Sequence, residues 1–203
     1  RQCDGWIYCF DAFNGQRLWR FRAAPTERRI PVHGRIISNW PVGSGVLVQD
    51  GVLYAAAGIT RYDGTYVFAL DAKSGAIRWQ NNQSGRLVAD DQVTGISVQG
   101  HLLLHQDQLY MAGGNVVSPA IYDLESGRCL NDLNDQWWDR PTGSTERFPA
   151  NPGKEMFKRS PRGRELFVIN GQVRVFDQLL YSPQEYGPCL LYTSDAADER
   201  SSV

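Results

Sequence analysis

Cysteine is scarce in this chain, with four in 203 residues, at Cys3, Cys9, Cys129 and Cys189. None is adjacent to another, and there is no Cys-x-x-Cys pair and no haem-attachment motif, so thiol-redox, zinc-ribbon and c-type haem chemistry are not indicated. Scattered thiols of this kind usually pack as small apolar residues, and the spacing does not require a Cys3–Cys9 bridge. Net charge is also nearly absent, at -1. That removes the electrostatic footprint of a nucleic-acid binder and the basic patch of a protein that sits on anionic lipid. No apolar run approaches the roughly 20 residues of a membrane-spanning helix. Helical periodicity is weak throughout. Residue 1 is not Met and no leader is visible, so the N-terminus is expected to be incomplete and the compartment stays open.

What is present is enough apolar material for a core, 42% of residues, with 20 glycines punctuating it. It is organised as a repeat, the first thing to seek in such a chain. Asp11-Ala12-Phe13-Asn14-Gly15-Gln16-Arg17-Leu18-Trp19 matches Asp71-Ala72-Lys73-Ser74-Gly75-Ala76-Ile77-Arg78-Trp79. A degraded third copy begins at Asp123 and carries Gly127. Each follows a β-prone run: Trp6 to Phe10, Thr65 to Leu70, Ala120 to Tyr122. The run predicts a strand, Asp-x-x-x-Gly a tight turn, and the segment ending in Trp19 or Trp79 a second strand. In the turn, Asp can bond backbone amides and Gly can supply φ > 0. A large aromatic at the hairpin's end is suited to packing between neighbouring units.

A second hairpin precedes the first in each unit. Gly45 to Gly58 is predicted as strand, Asp50-Gly51 turn, strand, and His101 to Gly114 repeats it with Leu109-Tyr110 in the place of Leu53-Tyr54. Two hairpins make a four-stranded antiparallel sheet, one blade of a β-propeller. Glu165 to Phe176, centred on Asn170-Gly171, would open a further blade. The expected class is all-β, a partial propeller of about three four-stranded antiparallel blades. The divisions are 1–30 as the end of one blade, 31–81 and 82–131 as blades, 132–164 as an insertion, and 165–188 as the start of the next.

Ala69-Leu70-Asp71-Ala72-Lys73-Ser74-Gly75-Ala76-Ile77-Arg78-Trp79 resembles the Ala-x-Asp-x-x-x-Gly-x-x-x-Trp docking pattern of pyrroloquinoline-quinone-like, quinoprotein-dehydrogenase-like propellers. The first copy has Cys9 in place of Ala. The third has Ile121 in place of Ala and Asn131 in place of Trp. Ser38 to Val48 resembles large bacterial, planctomycete-type repeat proteins of that superfamily. The resemblance spans about residues 1–188 and implies a larger, eight-bladed whole and an extracytoplasmic location. Residues 189–203 resemble a translated sequencing-library adapter and are set aside from fold reasoning, so the protein is expected to continue past Pro188.

The superfamily holds quinone-dependent alcohol and sugar dehydrogenases, which bind pyrroloquinoline quinone and Ca²⁺, and also an outer-membrane assembly lipoprotein that only binds proteins. A dehydrogenase needs oxygen ligands for a hard cation and a base for the substrate hydroxyl, and often an adjacent cysteine pair, which this chain lacks. Asp90-Asp91, the only acidic pair outside the 189–203 tail, is expected in a solvated loop. His101 and His105 are four apart, as in helical zinc motifs, but their segment alternates like a strand. His33 stands alone. Gly113-Gly114 has no helix or phosphate-binding Lys after it. Arg28-Arg29 and Lys158-Arg159, with Arg162 and Arg164, are expected to be solvated.

Structural docking is therefore assigned to Asp11, Gly15, Trp19, Ala69, Asp71, Gly75, Trp79, Asp123 and Gly127. Trp40, Trp137 and Trp138, outside the repeat positions, are candidate surface contacts. No catalytic, cofactor or metal residue is assigned. The expected role is a non-catalytic binding or scaffold module whose partners are proteins or other domains of the same chain, with no nucleic-acid partner. A pyrroloquinoline-quinone and calcium dehydrogenase fragment and a carbohydrate-contact module using the non-repeat tryptophans are the alternatives.

Overall fold

The chain was analysed as a computed structural model that describes residues 3–32, 34–60, 63–85, 87–89, 92–94, 96–113, 119–131, 165–169 and 171–176. Every regular element among them is a strand. Expectations for His33, Asp90, Asp91, Gly114, Trp137, Trp138, the basic residues from Lys158 to Arg164, Asn170, the 132–164 insertion and the 189–203 tail fall outside the described residues.

The hairpin expected from the first repeat is β1 (Trp6–Phe10) paired antiparallel with β2 (Arg17–Arg22). A short hairpin that the repeat pattern did not indicate follows, β3 (Arg29–Val32) with β4 (Arg35–Ser38). Next comes the complete blade, β5 (Val46–Gln49), β6 (Val52–Ala57), β7 (Tyr66–Asp71) and β8 (Ile77–Asn81), in a four-stranded antiparallel meander. Its first turn, Asp50-Gly51, has both residues at positive φ, 50° and 74°, the mirror-image turn that matches strand twist. A second unindicated hairpin pairs β9 (Leu87–Ala89) with β10 (Gln92–Thr94).

Among the described residues the third repeat forms β11 (Leu102–His105), β12 (Gln108–Met111) and β13 (Ala120–Asp123). Its fourth strand begins as one bridge, Tyr122 to Cys129. That bridge keeps the register of Phe10 to Arg17 and Leu70 to Ile77. The last described hairpin is β14 (Glu165–Ile169) with β15 (Gln172–Phe176).

These sheets stack. One core joins β1–β2 to β5–β8: Ile7, Leu53, Ala55, Phe68 and Leu70 belong to one cluster, with Trp19 and Phe21 packed against it. Phe21 and Phe68 meet edge-to-face with centroids 5.0 Å apart. The second core joins the opposite face of β5–β8 to β11–β13 through Tyr54, Ala56, Val67, Ala69 and Trp79 against Leu102, Leu109, Met111 and Tyr122. Strand alternation makes this possible, because even and odd residues of β7 serve different cores. Both faces of the central sheet are therefore apolar, and burying a side chain such as Leu70 there is worth about 2 kcal/mol. Ala55, Ala56 and Ala57 on β6 are wholly buried, small enough to admit a sheet on each side. First strands lie side by side, with β11 against both β5 and β14. That is the arrangement of strands around a propeller axis, and the fold is a partial β-propeller.

Candidate functional site

The most ordered chemistry among the described residues lies at the joints between sheets. It starts from the three Asp-x-x-x-Gly turns, which are built alike. The Asp71 carboxylate accepts the backbone N–H groups of Lys73 and Ser74 and the Ser74 hydroxyl. Asp11 accepts from Phe13 and Asn14, and Asp123 from the amide and hydroxyl of Ser126. Each glycine then donates its N–H to the carbonyl of the same Asp, at 2.9, 2.8 and 2.9 Å for Gly15, Gly75 and Gly127. Arg78 closes the second turn with an ion pair to Asp71 at 3.0 Å. These donors hold the Asp71 carboxyl down to about 2, chiefly through Arg78 and then Ser74. Asp123 is lowered in the same direction, mainly by Ser126.

The turns receive tryptophans from the preceding sheet. The Trp19 indole N–H donates to the Ala72 carbonyl at 3.2 Å, and that of Trp79 to the Leu124 carbonyl at 2.7 Å. Each acceptor is the residue directly after the repeat Asp. Each indole also lies over the turn glycine, so a Cβ at Gly75 would stand 2.8 Å from Trp19 and one at Gly127 2.3 Å from Trp79. The two glycines are needed twice over, for φ near +70° and for this approach. Ala69, cross-strand from Trp79, is buried beneath it. Around the second joint, Asn81 donates to the Gly127 carbonyl at 2.9 Å, and the buried Ser84 and Tyr122 hydroxyls lie 3.0 Å apart. Of the nine residues assigned to docking, the three Asp and three Gly build the turns, and Trp19 and Trp79 dock on two of them.

Asn131 occupies the position of the third tryptophan. Its carboxamide turns back to its own sheet, accepting the Ile121 N–H at 2.8 Å and donating to the Pro119 carbonyl at 2.9 Å.

Trp40 corrects the expectation of a surface contact. It is 8% exposed and packs in the first core, and its indole N–H donates to the Asp63 carbonyl at 2.7 Å. Pro41, Val42 and the apolar neighbours that follow gave a signal for burial, but distance from the repeat positions masked it. Cys3, Cys9 and Cys129 form no disulfide with one another. Arg28 reaches Asp63 at 3.8 Å. His101, exposed, and His105, half-buried, lie at the two ends of β11 and reach the β14–β15 hairpin: His101 lies 3.3 Å from Glu165, and His105 donates to the Gly171 carbonyl at 3.2 Å. Sequence reasoning set the metal-ligand reading of these histidines against solvent-facing or pore-lining roles, and a cross-sheet contact over 66 residues leaves no local signal.

An open polar groove runs between Asn81-Asn82-Gln83 and Ser126 to Leu130. Among the described residues no three His, Cys, Asp or Glu side chains converge as a metal site. Among them, too, no helix is long and apolar enough to cross a membrane.

A comparison with curated proteins gave no match. Among solved structures, BamB from Moraxella catarrhalis is similar at 16% identity and a TM-score of 0.42, over 64% of this chain and 30% of that one. A europium-containing methanol dehydrogenase is similar at 19% identity and a TM-score of 0.38, over 62% of this chain and 20% of that one. The chain spans less than a third of the length of either. The family model described as outer membrane protein assembly factor BamB matches residues 3–128, more than half of the chain. With its repeated Asp turns, docked tryptophans and stacked antiparallel sheets, the chain belongs to that family of pyrroloquinoline-quinone-like β-propeller repeat proteins.

Proposed function

We propose that this chain is a non-catalytic propeller segment that provides a binding or scaffold surface within a larger bacterial, extracytoplasmic protein, with proteins or other domains of the same chain as its partners. One observation carries the reading: the repeat's polar side chains are spent on architecture. Asp71, Asp123, Trp19, Trp79 and Asn81 all bond turns or neighbouring sheets. Polar groups engaged in this way position sheets and are not displayed to a substrate. The matching family's description as an outer membrane protein assembly factor supports a role in protein assembly over one in turnover. Fold alone would not decide the matter, since propellers of this type serve both ends.

Calorimetric titration of the full chain with pyrroloquinoline quinone and Ca²⁺ tests the reading. No binding by the folded chain is expected. Stoichiometric binding, with dye reduction on adding alcohols or sugars, would overturn the proposal and make the chain part of an oxidoreductase.

A further inference from the structure

We propose that the joint between the β11–β13 sheet and the β14–β15 hairpin is a proton-dependent seam, closed by protonation of His101 and His105, while the joint between β5–β8 and β11–β13 stays shut. The repeat itself marks this joint as different. Eight residues after the repeat Asp stand Trp19, Trp79 and Asn131. The two tryptophans cross to the next sheet and bond its turn. Asn131 spends both ends of its carboxamide on Ile121 and Pro119 of its own sheet. Among the described residues no indole fastens the third sheet to its successor.

Two histidines, His101 just before β11 and His105 at its end, cross instead. The His101 Nε2 lies 3.3 Å from the Glu165 carboxylate, and the His105 Nε2 donates to the Gly171 carbonyl at 3.2 Å. Both contacts change with the proton in the same sense. His101 forms an ion pair with Glu165 only as a cation. A carbonyl only accepts, so His105 must carry hydrogen on Nε2; the cation always does, the neutral ring in one of two tautomers. The other charged or titratable groups on the elements packed here are Glu165 on β14, Arg174 on β15, Tyr110 on β12, and Asp50 and Asp107 in the turns. Carboxylates, phenols and guanidinium groups as classes hold their charge across the range where imidazoles change theirs. With the His101 side chain 67% exposed and that of Glu165 35%, the proton has free access and water screens the pair, so the effect is graded and not all-or-none.

Hydrogen exchange on the full chain at about pH 5 and about pH 8, corrected for intrinsic rates, brackets the imidazole range. The quantity read is protection of residues 165–176 relative to β6 and β7. It should rise roughly three- to fivefold at the lower pH, the scale of an exposed ion pair. A double variant, His101→Gln with His105→Gln, should lose the rise while β6 and β7 keep their protection, since His101 is exposed, His105 is only half-buried and neither belongs to the core around β6 and β7. An equal ratio at both pH values would overturn the proposal. So would a rise that persists in the double variant, because His33 is then the only histidine left.

Discussion

The indole N–H of Trp79 donates to the carbonyl of Leu124, 45 residues further along the chain and on the next sheet, at 2.7 Å. Trp79 is 9% exposed and also packs at a tilt on Tyr54, with centroids 6.1 Å apart. Trp79→Phe keeps most of the packing and loses the hydrogen bond, so it should cost about 1 kcal/mol. Trp79→Ala opens the joint and should cost about 3–5 kcal/mol. Denaturant unfolding of the full chain checks both, and equal costs for the two variants would show that the packing contributes nothing beyond the bond.

Gly127 and Gly15 form a matched pair of controls. Both sit at positive φ, 71° and 72°. A Cβ at Gly127 would collide with Trp79 at 2.3 Å, whereas one at Gly15 meets nothing within 4 Å. Gly15→Ala should cost about 1 kcal/mol, the strain of a left-handed residue alone. Gly127→Ala should cost about 1–3 kcal/mol more, the usual penalty for overpacking. Thermal unfolding of the two variants side by side gives the difference, and equal shifts would refute the close approach.

Asp71 should make the second turn acid-sensitive. Its carboxyl is held near 2 by Arg78 and Ser74, below its ordinary value, so its contribution is fully present above the unfolded value and lost as pH falls through about 2. The stability difference between the wild-type chain and Asp71→Asn should therefore be constant above about pH 4 and shrink toward about pH 2. Unfolding curves at stepped pH follow it. A difference that stays constant to the acid end would mean that the Arg78 and Ser74 bonds do not favour the charged form.

Ser84 and Tyr122 place two hydroxyls 3.0 Å apart inside the second core, at 1% and 0% exposure. Ser84 also donates to Asn81, whose carboxamide in turn reaches Gly127. Tyr122→Phe and Ser84→Ala should each cost about 1–2 kcal/mol. Their double-mutant cycle should show coupling of at least about 0.5 kcal/mol, since the two residues touch. Strict additivity would remove the bond from the account of this joint.

Much of this was legible in the chain. The Asp-x-x-x-Gly turns could be seen because their bonds run between residues two to four apart, and such chemistry imposes residue types locally. The β-branched and aromatic runs at Trp6 to Phe10 and Thr65 to Leu70 predicted β1 and β7 for the same reason. Trp40 was misjudged because its partner, the Asp63 carbonyl, is a backbone atom that any residue would supply. The β3–β4 and β9–β10 hairpins lack the repeat's punctuation and went unseen.

The sequence by itself determined the all-β class, the repeat, its turns and the positions of Trp19 and Trp79, because strand alternation and turn geometry are short-range demands on residue type. Only the tertiary structure decided what those tryptophans bond, which sheet Asn131 serves and which strand His101 and His105 face. The tryptophan and histidine contacts join residues 45 to 66 apart, and their acceptors are mostly main-chain carbonyls, which every residue carries alike.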